Sequence, residues 1–350
     1  MSCRWILRVG LAFVALLVGC GPAGDGNVLV VYTPHGGDLL EHFGARFTEA
    51  NPGVEVQWLD MGSQEVLDRL RSEQANPQAD VWWGAPAETF SQGAEEGLLE
   101  PFRPSWAEAL PEEAQGEGDH WFGTYLTPEV IAYNSAAVSF EEAPKEWDDV
   151  LDPRWRGRVL IREPLASGTM RAIFGSIIYR ESGGAEDPTA GYEWLLRLDA
   201  QTREYVLNPT LLYQKLARQE GLVTLWAMPD IETLLATTDY PIDYVIPSEG
   251  TPVVVDGVAL VRGSRNPDAA RAFIEFVGSE AELVEAANQF FRIPARTDVA
   301  QDQLPDWLRE ALPQIRPMEV DPRVLQERTP EWMRYWDSNI RRRGEALGYE

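Results

Sequence analysis

The residues best suited to chemistry fall in a few short segments. Ser167-Gly168-Thr169 places two hydroxyls around a glycine just ahead of an apolar helical pattern. Unpaired N–H groups at a helix start attract anions, the hydroxyls add donors, and Gly168 lets a ligand approach the backbone. Ser167 could equally cap its own helix, and the two roles are compatible. In Thr33-Pro34-His35-Gly36-Gly37, the imidazole of His35 could donate to an anion or ligate a metal. Trp82 and Trp83 precede Gly84 at a strand end, and Trp226 ends another strand-like run. Aromatic faces there suit sugars, rings or cations, with core packing as the plain alternative. Asp230 follows Pro229, where N-capping is the leading explanation, and Asp256 precedes Gly257 in an extended stretch. With Glu129, these acids would suit a ligand that carries an amine beside a phosphonate.

Catalytic arrangements are absent. The three histidines are His35, His42 and His120. There is no Gly-x-Ser-x-Gly elbow and no His-Glu-x-x-His pair. The expectation is therefore no enzyme, no cofactor and no metal.

The remaining reactive group is the thiol of Cys20. Arg4 and Arg8 precede a short apolar run, residues 9–18, and then Leu17-Val18-Gly19-Cys20. A membrane span needs about 20 apolar residues, so this run reads as a signal peptide, 1–19. The segment resembles a bacterial lipobox, which implies a lipid on Cys20, cleavage before it, and anchorage in the periplasm or on the outer face of the cytoplasmic membrane. Residues 20–27 would be a flexible tether.

Composition narrows the rest. The only other cysteine, Cys3, lies inside the signal, so the folded part has no disulfide and must rely on its core. About 330 residues remain, enough for two lobes. Without Arg4 and Arg8 the chain has 28 basic against 56 acidic residues, a charge of −28. Such a surface repels phosphate backbones and argues against nucleic-acid binding.

These side chains need elements to position them. Residues 28–32 read as a strand, followed by a loop and a helix carrying Leu39, Leu40, Phe43 and Phe47. Residues 54–58 alternate as a strand, a second helix carries Val66, Leu67 and Leu70, and 79–83 form a third strand. Residues 123–134 are a long extended stretch. The alternation resumes with a strand at 158–161 and a helix from Thr169 bearing Met170, Ile173, Phe174, Ile177 and Ile178. A strand-like run covers 221–228, a second extended stretch covers 253–261, and Ala270, Phe273, Ile274 and Val277 mark another helix. Two β/α halves joined by two extended crossings predict an α/β, hinged, two-lobe protein. Its ligand belongs at the carboxyl ends of the strands, where the loops after Tyr32, Trp83, Ile161 and Met228 face a cleft.

Several of these segments carry a family resemblance: 31–36, Ala79-Asp-Val-Trp-Trp-Gly84, Ile131-Ala-Tyr-Asn134, 162–169, Asp256-Gly-Val-Ala-Leu260 and Ile293-Pro-Ala-Arg-Thr297. In order and spacing they resemble the solute-binding proteins of ATP-driven (ABC) importers, in the branch named for ferric iron, sugar phosphate, phosphonate and thiamine. The resemblance implies a type II periplasmic binding fold, with mixed sheets flanked by helices. Lobe 1 would comprise 28–125 plus 257–303 and lobe 2 residues 126–256, with a helical tail at 304–350 packed on lobe 2. It implies a monomer that closes over a small solute and docks on a membrane permease. A sensing lipoprotein of the same fold is the alternative. The expected ligand contacts are Thr33, His35, Gly36, Trp83, Gly84, Ser167, Gly168, Thr169, Trp226, Asp230 and Asp256. An organic phosphate or phosphonate is the favoured solute, ahead of ferric iron and of thiamine or a polyamine. Iron-binding members use adjacent tyrosines, and this chain has no Tyr-Tyr pair.

Overall fold

The computed structural model describes residues 28–184 and 186–344. The expected signal peptide, Cys20 and tether lie outside them. In chain order the elements are β1 (Val28–Thr33), α1 (Gly37–Ala50), β2 (Glu55–Asp60), α2 (Ser63–Glu73), β3 (Val81–Pro86), α3 (Ala87–Glu95), β4 (Leu99–Glu100) and β5 (Phe122–Asn134). Next come β6 (Val159–Arg162), α4 (Gly168–Glu181), α5 (Thr189–Gln201), β7 (Thr202–Val206), α6 (Pro209–Ala217), β8 (Val223–Ala227), α7 (Met228–Thr237) and β9 (Ile242–Val245). The chain continues through β10 (Val253–Val261), α8 (Pro267–Val277), α9 (Glu280–Phe290), β11 (Ile293–Pro294), α10 (Asp306–Ala311) and α11 (Pro322–Asn339).

The strands run in the order β2-β1-β3-β10-β5-β8-β6-β7, with β4 beside β10 and with β9 and β11 beside β5. Pairings among β1, β2 and β3, and among β6, β7 and β8, are parallel; those of β10 with β3 and β5, and of β5 with β8, are antiparallel. The 13-residue β5 is the shared spine. Its first part, to Pro128, pairs with β10; from Glu129 onward it pairs with β8. A further connection lies beside this junction: Thr251 donates to the Arg316 carbonyl (2.8 Å), and Met318 donates back to Thr251 (2.7 Å).

Parallel strands feeding crossover helices are covered on both faces, so their apolar residues are buried on both. One face around β1 and β3 packs Phe43, Phe47, Trp83 and Phe273; the other packs Tyr32, Leu67, Trp82 and Phe90. A third core joins α4 and α5 to the tail through Phe174, Trp332, Met333, Trp336 and Ile340. The α11 helix also reaches α3, where Gln326 donates to Glu95 (2.5 Å). The tail's end is held by Asp199, whose carboxylate accepts from the backbone N–H groups of Arg342, Arg343 and Gly344 at 2.7–2.8 Å.

Two expectations need correction. The expected strand through Met228 ends at Ala227, because Pro229 at the start of α7 has no N–H for a ladder. The stretch 189–217, unassigned from sequence, forms α5, β7 and α6, and the end of β7 supplies a cleft wall.

Candidate functional site

A cleft of about 620 Å³ opens at the carboxyl ends of β1, β3, β6, β7 and β8. Six helices begin on it: α1 at Gly36–Gly37, α2 at Gly62–Ser63, α3 at Pro86–Ala87, α4 at Ser167–Gly168, α6 at Asn208–Pro209 and α7 at Ala227–Met228. Each helix start carries partial positive charge and N–H groups with no partner inside the helix, so these converging starts favour a negative ligand.

The β6 end adds a full charge. Arg162 is 5 % exposed, and its Nε has no partner among the described residues. Its Nη1 lies 3.5 Å from the carbonyls of Glu163 and Val206, too long for strong bonds. Burial lowers its pKa, and the charges of Glu65 and Glu163 oppose that from beyond ion-pair distance, so the guanidinium has lost water without gaining a direct carboxylate partner. Beside it, Ser167 Oγ accepts from Met170 N (3.2 Å) and caps α4 while lining the cleft. Asn208 caps α6 in the same way, accepting from Leu211 N (2.9 Å). Gly168, Thr169 and Thr210 complete this wall.

The floor is acidic. Glu129 is fully buried, lines the cleft, and neither carboxyl oxygen has a partner among the described residues. Burial, reinforced by Asp256, Asp230 and Glu88, raises its pKa well above the usual carboxylate range. Asp256 accepts a short hydrogen bond from Thr127, and burial pushes its pKa up to about 6. Asp230 accepts from Trp226 Nε1 (3.0 Å) and pairs with Arg292 Nη2 (3.1 Å). Arg292 follows Phe291, the left-handed residue that closes α9, so its ion pair with α7 ties opposite walls together.

The walls also touch directly. A Cβ on Gly168 would lie 2.7 Å from Pro86 Cδ and 2.9 Å from Ser63 Oγ, while one on Gly62 would overlap the Ala166 carbonyl. Glycine is what lets the α4 start meet the α2 start.

Of the expected contacts, His35, Gly36, Ser167, Gly168, Thr169, Trp226, Asp230 and Asp256 line this cleft. Thr33 is buried behind it and accepts from His35 N (3.1 Å). Gly84, with φ of 87°, lies under the imidazole, where a Cβ would come within 2.6 Å of His35 Nε2. Trp83 does not reach the cleft. It is fully buried against Phe43 and Phe273 and supports the His35 ring edge-on at 4.9 Å, because helices cover both faces of β3. Burial and the charge of Arg292 hold the His35 pKa well below its usual value, so the ring is neutral. Asp230 does not cap α7. Ala227 occupies that position, and the carboxylate turns to Trp226 and Arg292 instead.

Sequence reasoning missed Arg162, Arg292, Asn208 and Thr210 as site residues. Asn208-Pro209 is a readable helix start, and that signal could have found the α6 wall. The two arginines have no local signal.

The chain is similar to known binding proteins in sequence and in fold. A "Probable ABC transporter periplasmic-binding protein" of Sinorhizobium fredii is 26% identical over 344 residues, covering 96% of this chain and 93% of its own. "Iron uptake protein A1" of Synechocystis is 26% identical, covering 85% and 88%. The solved structure of the periplasmic binding protein AfuA from Actinobacillus pleuropneumoniae, with exogenous fructose-6-phosphate bound, matches with a TM-score of 0.79 at 23% identity over 91% of this chain and 99% of that one. The fold is that of the type II periplasmic binding proteins. The family description "Bacterial extracellular solute-binding protein" fits residues 43–313, and the chain belongs to that family.

Proposed function

We propose that the protein is the lipid-anchored receptor of an ABC importer, which captures a small organic anion, a phosphate or phosphonate ester, and delivers it to a membrane permease. The observation that supports the anion reading is Arg162, a buried guanidinium with no carboxylate in ion-pair contact among the described residues, set among helix starts that face the same cleft. An anion there would satisfy the Arg162 fork and the N–H groups of α4 and α6 together. The fructose-6-phosphate bound by AfuA is a ligand of this kind. Iron, named for the Synechocystis relative, finds less support. Tyr213 is hydrogen-bonded to Trp226 (2.7 Å), and no group of three or more His, Cys, Asp or Glu among the described residues could hold a metal.

In this reading β5 and the 250–253 crossing are the hinge, the residues on either side form two lobes, and the receptor works as a monomer without chemistry of its own. Cys20 carries the lipid, and the flexible tether, 20–27, keeps the lobes near the membrane outside the cytoplasm.

Calorimetry with a panel of sugar phosphates and alkyl phosphonates tests the reading. One or more should bind, and Arg162→Met should weaken that binding by about 100-fold or more, the usual loss when one partner of a buried charge pair is truncated. Binding by the variant at the parent affinity would show that the anion sits elsewhere.

A further inference from the structure

A buried guanidinium stays open to a ligand only while the carboxylates around it are held elsewhere. Glu65 on α2 and Glu163, the residue after Arg162, are acids whose charges reach Arg162. Glu65 accepts from the Gly62 N–H at the start of α2 (2.8 Å). Glu163 pairs with Arg341, which lies in the tail just beyond α11. Arg162 and residues 166–169 line the cleft, whereas Glu163 does not. The tail therefore sets a cation behind the segment whose front carries the anion wall.

Arg341 is itself firmly seated. Its guanidinium lies 5.5 Å from the ring centres of both Tyr205 and Trp336, and its Nη1 donates to Asp337 (2.9 Å). Asp199 fixes the backbone of the three residues that follow. Glu163 has little else to hold it. It is 8 % exposed, and the bond it accepts from Leu165 N is long (3.4 Å). Arg162 Nη1 already folds back toward residue 163, 3.5 Å from its carbonyl. Adjacent side chains of this chain do pair elsewhere: Arg180 Nε donates to Glu181 (2.8 Å). A buried carboxylate stripped of Arg341 is costly alone, and Arg162 is the cation beside it.

We propose that Arg341 is a positioning residue of the anion site: by holding Glu163 it keeps that carboxylate off Arg162. The inference rests on the anion reading of Arg162, and it makes the tail a working part of the receptor. Arg341 does not line the cleft and acts only through Glu163. In its absence Glu163 competes with the anion for one guanidinium. Apparent affinity falls in proportion to the fraction of molecules in which Arg162 is open, so about one open molecule in ten means about a tenfold loss.

Calorimetry on the purified full-length protein tests this, with inorganic phosphate, methylphosphonate and glucose-6-phosphate as probes. Arg341→Met should weaken the binding of whichever probes the parent takes by about tenfold. Adding Glu163→Gln to that variant should restore the parent affinity, because the competing charge is gone. Adding Asp337→Asn instead removes the same charge from the other partner of Arg341 but leaves Glu163 free, and should restore nothing. Arg341→Gln, with the same two companions, serves if the methionine variant folds poorly. Parent-like binding by Arg341→Met, equal rescue by both companions, or rescue by neither would overturn the role of Arg341 while leaving the anion wall standing. An equal loss in Glu163→Gln alone would overturn it too, since the pair would then only brace the segment. If no probe binds the parent, or if Arg162→Met binds as the parent does, the anion reading falls and this inference falls with it.

Discussion

At the scale of the residue, this cleft is made of groups kept from their preferred partners. Burial raises the Asp256 pKa to about 6, whereas an unfolded chain restores an ordinary carboxyl. Below about pH 4 both states hold the proton, and the site costs nothing. As pH rises from 4 to 6 the unfolded state loses its proton first, so stability falls. Above 6 the loss is complete, on the order of 3 kcal/mol. Asp256→Asn keeps an acceptor for Thr127 and cannot ionise. Its urea midpoint should exceed that of the parent at pH 7.5 and match it near pH 4. A gap that does not depend on pH would mean that folding leaves the Asp256 pKa unchanged, and a parent more stable than the variant at pH 7.5 would mean that the fold stabilises the carboxylate. Arg162 and Glu129 follow the same logic: each is buried with polar atoms that lack a partner among the described residues, at a cost to stability. Destabilised groups at a binding site are the usual trade of stability for function.

At the scale of the element, helix starts do two things at once. Ser167 and Asn208 each satisfy one N–H of their own helix and leave the others for a ligand. A serine N-cap was readable because Ser167 directly precedes an apolar helical stripe. The amphipathic strands and helices of the first 100 residues were readable for the same reason: Leu39, Leu40, Phe43 and Phe47 keep one face, and all four are buried. The tail was harder, because its anchor is remote. Asp199 at the end of α5 binds three N–H groups some 143–145 residues later, and Tyr205 OH besides. Removing that carboxylate leaves the buried Gly344 N–H, two part-buried N–H groups and the Tyr205 hydroxyl without this partner. Asp199→Ala should cost about 3 kcal/mol and lower Tm by roughly 4–5 °C in a calorimetric scan. A shift under one degree would show that the Trp332 and Trp336 packing holds the tail by itself.

At the scale of the whole molecule, the cleft walls meet at glycines. Gly168 faces Pro86 and Ser63, and Gly62 faces the Ala166 carbonyl. Arg292 and Asp230 link the same two walls by an ion pair. In the proposed receptor, closure over a ligand would be a shift between open and closed populations, driven by contacts that only the closed form makes. A methyl at Gly168 acts on that balance. Gly168→Ala should hold the walls apart and weaken ligand binding about tenfold, the scale of modest overpacking. The liganded variant should keep a larger radius of gyration than the liganded parent in small-angle scattering. Identical radii would place the α4–α2 contact outside the closing motion.

What the sequence determined by itself is whatever is local and periodic. Strand alternation, helical stripes and caps depend on neighbours within a few residues, so β1, β3, β6 and α4, the two crossings, and the cleft position of Ser167 and His35 could be read from them. Even the opposite-face placement of Trp82 and Trp83 followed from strand geometry. Only the tertiary structure decided that helices cover both of those faces, which puts Trp83 beneath His35 rather than in the cleft. It alone decided that Arg162 and Glu129, which come from strands far apart in the chain, line one cleft without an ion-pair partner among the described residues, and that Arg292 reaches Asp230 across it. Burial and pairing are sums over long-range neighbours, and no window of sequence contains those neighbours.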